Sequence, residues 1–233
     1  MKFIISMLII MVFVCGCASH KQKLPDEQKY KEIQRDYIVS DHSRTSGDLR
    51  PGWIDNPQLW AKEHKGDFDT TKYTYFAYET DPKASRKLSC QLARSYARVD
   101  IASEIATFID KSLAESDEGS VAIDENNPQT RGLRNFVENT LAEKIQALIH
   151  GSRPLKIHWE KRKYKKKFGA KRDFTAYTCA AFIRMDNGRL KDAIDEAANF
   201  VSEEADDPAT KANVKKALEN VEEKFVKAKN GEI

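Results

Sequence analysis

Catalytic sequence patterns are missing from this chain. It has no Gly-x-Ser-x-Gly, no His-Glu-x-x-His, no phosphate-binding glycine loop and no Cys-x-x-Cys. Hydrolase elbows, zincin sites, P-loops and dithiol redox pairs are therefore without their usual residue spacing. The five histidines, His20, His42, His64, His150 and His158, are scattered, whereas metal ligands cluster on one helix face or hairpin. Neither sign of charge dominates: 39 basic residues stand against 36 acidic ones. That balance gives no bulk attraction for nucleic acid. Long apolar runs are also scarce, and beyond the first 14 residues none approaches membrane-spanning length. These absences set the expectation of a protein that is not an enzyme and that holds neither metal nor cofactor.

The one apolar run is informative. Lys2 gives a short positive start, and Phe3 to Val14 is apolar apart from Ser6. Its 12 residues fall short of the roughly 20 that a membrane-spanning helix needs. A charged start, a short apolar region and a small-residue exit mark a secretory signal. Val14-Cys15-Gly16-Cys17 resembles a lipobox, so residues 1–16 are expected to be removed and Cys17 to carry lipid. Several acyl chains on one residue anchor stably where a single chain holds marginally. Ala18 and Ser19, with no Asp, follow Cys17; among lipoproteins this goes with transport to the outer membrane, the domain facing the periplasm. Residues 17–49 are polar and charged with few large apolar side chains. They read as a lipidated flexible tether, because such a stretch buries too little surface to offset its ordering entropy.

With Cys15 lost and Cys17 lipidated, Cys90 and Cys179 remain. An even pair in an oxidising compartment can form a disulfide; the alternative is two thiols packed as small apolar groups.

From Pro51-Gly52-Trp53 onward the pattern is that of a folded domain, residues 50–205, followed by an amphipathic helix over 206–233. Trp53 and Trp60 read as covers for a core edge. Tyr73–Glu79 is aromatic and suits a strand. Asp81-Pro82 reads as a helix start. Apolar residues then recur at three- and four-residue steps, through Leu88, Leu92, Tyr96 and Val99 and on through Ile101, Ile105, Ile109 and Leu113, which predicts a helix from Lys83 to about Leu113. Residues 116–132 read as an exposed loop. A second helix is expected over 133–150. Leu155, Ile157 and Trp159 alternate with Lys156, His158 and Glu160, and Phe174 to Met185 makes a return strand: a long antiparallel hairpin. Helices follow at about 189–205 and 208–229. The fold class is α+β, a small antiparallel sheet with a long amphipathic helix and a second helix packed on one face, plus C-terminal helices.

Pro51-Gly52-Trp53, the strand Tyr73–Tyr78 and the helix Leu92-Ala93-Arg94-Ser95-Tyr96-Ala97-Arg98-Val99-Asp100-Ile101-Ala102-Ser103-Glu104-Ile105, taken in that order behind a lipobox, resemble the Lpp-twenty family of small outer-membrane lipoproteins. The resemblance covers residues 50–185. Ala77 and Tyr78 stand where family members often carry glycine. It implies a non-catalytic surface or assembly role and supplies no catalytic residues.

The strongest local signal is a basic run. Lys161, Arg162, Lys163, Lys165, Lys166, Lys167, Lys171 and Arg172 place 8 cations in 12 residues, with Tyr164 and Phe168 between them. It reads either as an anion-binding arm for acidic lipid, lipopolysaccharide or glycan, or as a solvated hairpin tip whose charges discourage edge pairing. Asp100, Glu104, Asp110 and Glu115 read as solvated helix charges. The expected function is thus an outer-membrane lipoprotein with a structural or assembly role, held to the membrane by its lipid. It would bind another envelope protein or itself, and no nucleic acid. The alternative is a ligand-binding lipoprotein that uses the basic hairpin.

Overall fold

The computed structural model describes residues 37–43, 50–124, 127 and 130–233. The expected signal segment and Cys17 lie outside the described residues, as do residues 18–36 and 44–49 of the expected tether.

Four strands, β1 (Tyr37–His42), β2 (Tyr73–Glu79), β3 (Arg153–Tyr164) and β4 (Phe174–Asp186), form one sheet in the order β1-β3-β4-β2. Every pairing is antiparallel. The β3–β4 hairpin is the longest pairing, as its alternation predicts, and Gly169 takes the left-handed φ of 107° at its turn. β1 corrects the tether boundary. Tyr37, Ile38 and Val39 pair with Tyr164, Lys163 and Arg162. A short segment with little apolar content becomes ordered because β3 offers an edge of unpaired backbone donors and acceptors.

One sheet face carries the main core. Cys179, Ala181, Ile183 and Met185 of β4, with Ile157 and Trp159 opposite on β3, share this face because strand side chains alternate. Across it lies α2 (Arg86–Glu115), 30 residues long. This helix starts later than Asp81-Pro82 suggests: Lys83 exchanges two backbone hydrogen bonds with Tyr177 and extends the sheet first. Ser85 then caps α2 by accepting the Leu88 N–H.

The second half of α2 buries Ile101, Ile105, Ile109 and Leu113 as expected. Its first half does not follow the large residues. Ser89, Ala93 and Ala97 face the sheet, while Leu88 and Tyr96 are each 46% exposed. Small side chains let the helix backbone lie close to β4 there, and the large ones turn outward.

The remaining helices close this core. The stretch expected as an exposed loop contains α3 (Asp117–Ala122), with Ala122 and Ile123 buried. The single helix expected over 133–150 is two, α4 (Arg131–Asn139) and α5 (Leu141–Leu148), parted at Thr140. Then come α6 (Asn187–Glu203), α7 (Pro208–Ala217) and α8 (Val221–Lys229). The expected continuous C-terminal helix is therefore broken. Asn220, at φ 57°, takes the left-handed conformation that Asn tolerates better than most residues. The break folds Val214, Leu218, Val221 and Phe225 into the chain's own core.

The opposite sheet face has its own smaller core: Trp53, Phe68, Tyr75 and Phe182, with Ala61 and Ala180. A single 3-10 turn at Gly52–Ile54 and α1 (Pro57–Glu63) cover it. Gln58 of α1 accepts the Tyr75 N–H at 2.8 Å, satisfying a backbone donor of edge strand β2.

Candidate functional site

The basic run occupies the end of the β3–β4 hairpin, where it splits by strand parity. Lys163, Lys166, Lys167, Lys171 and Arg172 are exposed. Lys165 pairs with Asp173 at 3.1 Å, and Asp173 also accepts the Lys166 N–H at 2.8 Å. The turn is thereby held by the one acid in its sequence. Lys161 lies on the α2 side, 6.0 Å from the Tyr177 ring centroid. The tip is stiffened from behind by an aromatic row: Tyr164 stacks on Phe174 at 4.4 Å and meets Tyr37 at 5.3 Å. Cross-strand aromatic pairs of this kind hold a hairpin's register.

Arg162 corrects the expectation that the whole run serves one anion-binding surface. It is 7% exposed, and its guanidinium turns into the other sheet face. There its Nε donates to Glu160 Oε2 at 2.7 Å and its Nη2 donates to Glu79 Oε1 at 2.5 Å. Arg50 Nη1 donates to both Glu79 oxygens, and Arg50 Nη2 reaches Asp55 at 2.8 Å. His158, Glu160 and Arg162 all point to this face because they stand two residues apart on one strand. Ala176 and Thr178 of β4 pair with Arg162 and Glu160 of β3, and Ala180, on the same face, pairs with Glu79 of β2. Their small size lets Arg162 of β3 reach Glu79 of β2 across the central strand.

At the β1 end the network continues through Ser43, whose Oγ lies 2.9 Å from His158 Nδ1 and accepts the Trp159 N–H. His158 Nε2 stands 3.5 Å from Glu160 Oε1, at the outer limit of a hydrogen bond, and neither atom has a closer polar partner among the described residues. Burial works to raise the Glu160 carboxyl. The His158 hydrogen bond and the Arg162 charge together outweigh it, so Glu160 lies below the usual carboxylate range. Burial likewise works to lower Arg162, and the Glu79 and Glu160 charges outweigh it.

Ser43, His158 and Glu160 carry the residue types of a nucleophile, a base and an acid. They are 6%, 2% and 1% exposed, the serine oxygen is already hydrogen-bonded to backbone, and the carboxylate is engaged by arginine. At that burial Ser43 Oγ has no open approach among the described residues, whereas a nucleophile must meet its substrate's reacting atom directly. The arrangement ties β1, β2 and β3 together.

None of these network residues except Arg162 is picked out by reading motifs along the sequence. The available signal is the spacing His158-x-Glu160-x-Arg162, three ionisable groups on one strand face. Taken as the wet face of a half-buried strand, it conceals that the face is covered.

Cys90 and Cys179 are joined by a disulfide, with Cα atoms 5.0 Å apart. It ties α2 to central strand β4. The helix acids are mostly surface groups, as expected: Glu104 pairs with Lys229 at 2.8 Å and Lys111 with Glu115 at 3.6 Å. Asp100 is raised, first by burial and then by the neighbouring Glu104 charge, against a smaller lowering by Lys229. Among the described residues no three His, Cys, Asp or Glu side chains come together as a metal site, and no helix is long and apolar enough to cross a membrane. In comparisons with known proteins, no family pattern, no curated protein and no solved structure matches this chain.

Proposed function

We propose that this chain is a bacterial outer-membrane lipoprotein, lipidated at Cys17, whose α+β domain serves a non-catalytic structural or assembly role by binding another envelope protein or a second copy of itself. The observation that carries the export part of the reading is the Cys90–Cys179 disulfide behind the Val14-Cys15-Gly16-Cys17 signal. Structural disulfides belong to oxidising compartments outside the cytosol. The binding role draws support from the apolar row on the outer face of α2, where Leu88, Tyr96 and Val99 are 46%, 46% and 36% exposed. The Lpp-twenty resemblance over residues 50–185 points the same way.

The expected result in native membranes is an N-terminal peptide that starts at Cys17 and carries acyl chains. Mass spectrometry of the purified protein checks it; an intact Met1 terminus or a free Cys17 thiol defeats the reading. For the role, light scattering of the purified chain and crosslinking in intact envelopes are expected to show a second copy or one defined partner. Tyr96→Glu is expected to remove that species. A monomer with no crosslinked product counts against an assembly role.

The second reading is favoured by the exposed cations of the hairpin tip. Each basic side chain near an anionic membrane contributes about 1 kcal/mol. Replacing Lys163, Lys166, Lys167 and Lys171 by Gln is then expected to abolish salt-sensitive binding to anionic vesicles. The same change should leave stability within about 0.5 kcal/mol of the parent, as exposed substitutions usually do. Vesicle sedimentation at low and high salt with a parallel urea titration reads both; unchanged sedimentation removes this alternative.

A further inference from the structure

The opposite end of the β3–β4 hairpin from the basic tip holds a second, unrelated group of cations. Arg153 of β3 stands directly across from Arg184 of β4. Arg189, in the first turn of α6, closes the third side. The three side chains, with Tyr73, Gly151 and Asp186, line a cleft of about 310 Å³, at the small end of the roughly 300–1,000 Å³ typical of ligand sites.

Like charges directly opposed across two strands destabilise a sheet, and here a third cation is added. No carboxylate among the described residues lies within ion-pair distance of Arg153, Arg184 or Arg189. Asp186 borders the cleft but is turned to the helix, where its Oδ1 accepts the Arg189 N–H at 3.2 Å as the N-cap of α6. The other arginines near this sheet face, Arg50 and Arg162, are both matched by carboxylates.

The surroundings hold these side chains in place. Arg184 Cζ sits 4.5 Å from the Tyr73 ring centroid, a cation–π contact that keeps its fork at the cleft wall. Gly151 has φ +74°, and a side chain built there would stand 2.3 Å from Arg189 Nη1. Glycine at this position thus leaves room for the Arg189 guanidinium. Three planar forks at one opening match the oxygens of a phosphoryl group, to which guanidinium bonds in pairs. Three cations against one carboxylate leave a formal excess of two positive charges, which suits a dianion.

We infer that the Arg153–Arg184–Arg189 cleft binds a phosphoryl dianion, carried either on a small soluble phosphate or on a phosphorylated lipid headgroup. The assignment stands apart from the lipoprotein reading and from the hairpin tip. The probe is inorganic pyrophosphate, titrated calorimetrically into the full chain held in uncharged, phosphate-free detergent micelles. Saturable, salt-sensitive binding is expected. Arg153→Gln/Arg189→Gln is expected to weaken it at least about tenfold, since charge-assisted hydrogen bonds to phosphate are the strong ones. Arg153 and Arg189 are exposed, and an unchanged urea midpoint checks that the double variant is folded. A variant with Lys166, Lys167, Lys171 and Arg172 changed to Gln is expected to bind pyrophosphate as the parent does. No binding by the parent, equal binding by Arg153→Gln/Arg189→Gln, or loss in the tip variant alone overturns the inference. Repeating the titration with phosphatidic acid in the micelles separates the two sources: competition identifies a lipid headgroup, and undiminished binding a soluble phosphate.

Discussion

The variant Cys90→Ala/Cys179→Ala is expected to be less stable than the parent by about 4 kcal/mol. The bridge closes a sequence separation of 89 residues. In the chain-entropy account, cross-linking so long a loop removes much of the unfolded chain's freedom, worth up to about 5 kcal/mol. Its position adds to the argument. Cys90 lies in the first half of α2, where Ser89, Ala93 and Ala97 meet the sheet. Those small side chains bury little apolar area, and burial scales with area at about 25 cal/mol per Å². The covalent link thus fastens the end of the helix that packing holds least. Equilibrium urea unfolding with and without a thiol reductant measures the effect. Reductant should bring the parent toward the variant's midpoint and leave the variant where it is. Equal midpoints in the absence of reductant would refute the expectation.

Arg162→Met is expected to cost about 3–5 kcal/mol, the range for removing one partner of a buried ion pair. Its loss leaves Glu160, 1% exposed, with only the 3.5 Å approach of His158. It also removes the 2.5 Å bond that ties β3 to Glu79 of β2. Removing both charges, as Glu160→Leu/Arg162→Met, should recover part of the loss, because no buried charge is then left alone. Urea titrations of the two variants decide this; a double variant no more stable than Arg162→Met would contradict the account.

The same pair has a pH signature. A carboxyl held below its unfolded-chain value contributes stability that is fully present above that value, about 4.3 for Glu. The contribution is lost as pH falls through the lower, folded value. Glu160 is such a group. The parent should lose stability in acid below about pH 4.3 more steeply than Glu160→Gln does. Parallel pH–stability slopes for the two proteins would show that Glu160 is not the titrating group.

What could be read along the chain follows the range of the forces involved. The β3–β4 hairpin was legible because alternation and a Phe168-Gly169-Ala170 turn are local. The second half of α2 was legible because Ile101, Ile105, Ile109 and Leu113 repeat with the helix. The first half misled: Leu88, Leu92 and Tyr96 repeat just as well, yet close approach to β4 selects the small residues between them. The C-terminal helix misled for a similar reason. Its apolar spacing runs on through Asn220, and the chain folds back there because Val214 and Phe225 share one core. At the candidate site, the tip's cations were plain in the sequence. The inward turn of Arg162 was not, since it depends on Glu79, 83 residues away.

The α+β class, the hairpin with its charged tip and the main helical segments can thus be read from the chain, because they rest on periodicity and composition within a few residues. Packing alone makes residues 37–42 an edge strand, covers His158, Glu160 and Arg162, and brings Arg153, Arg184 and Arg189 around one cleft. Burial and charge pairing between distant segments are properties of the packed chain, and no local pattern carries them.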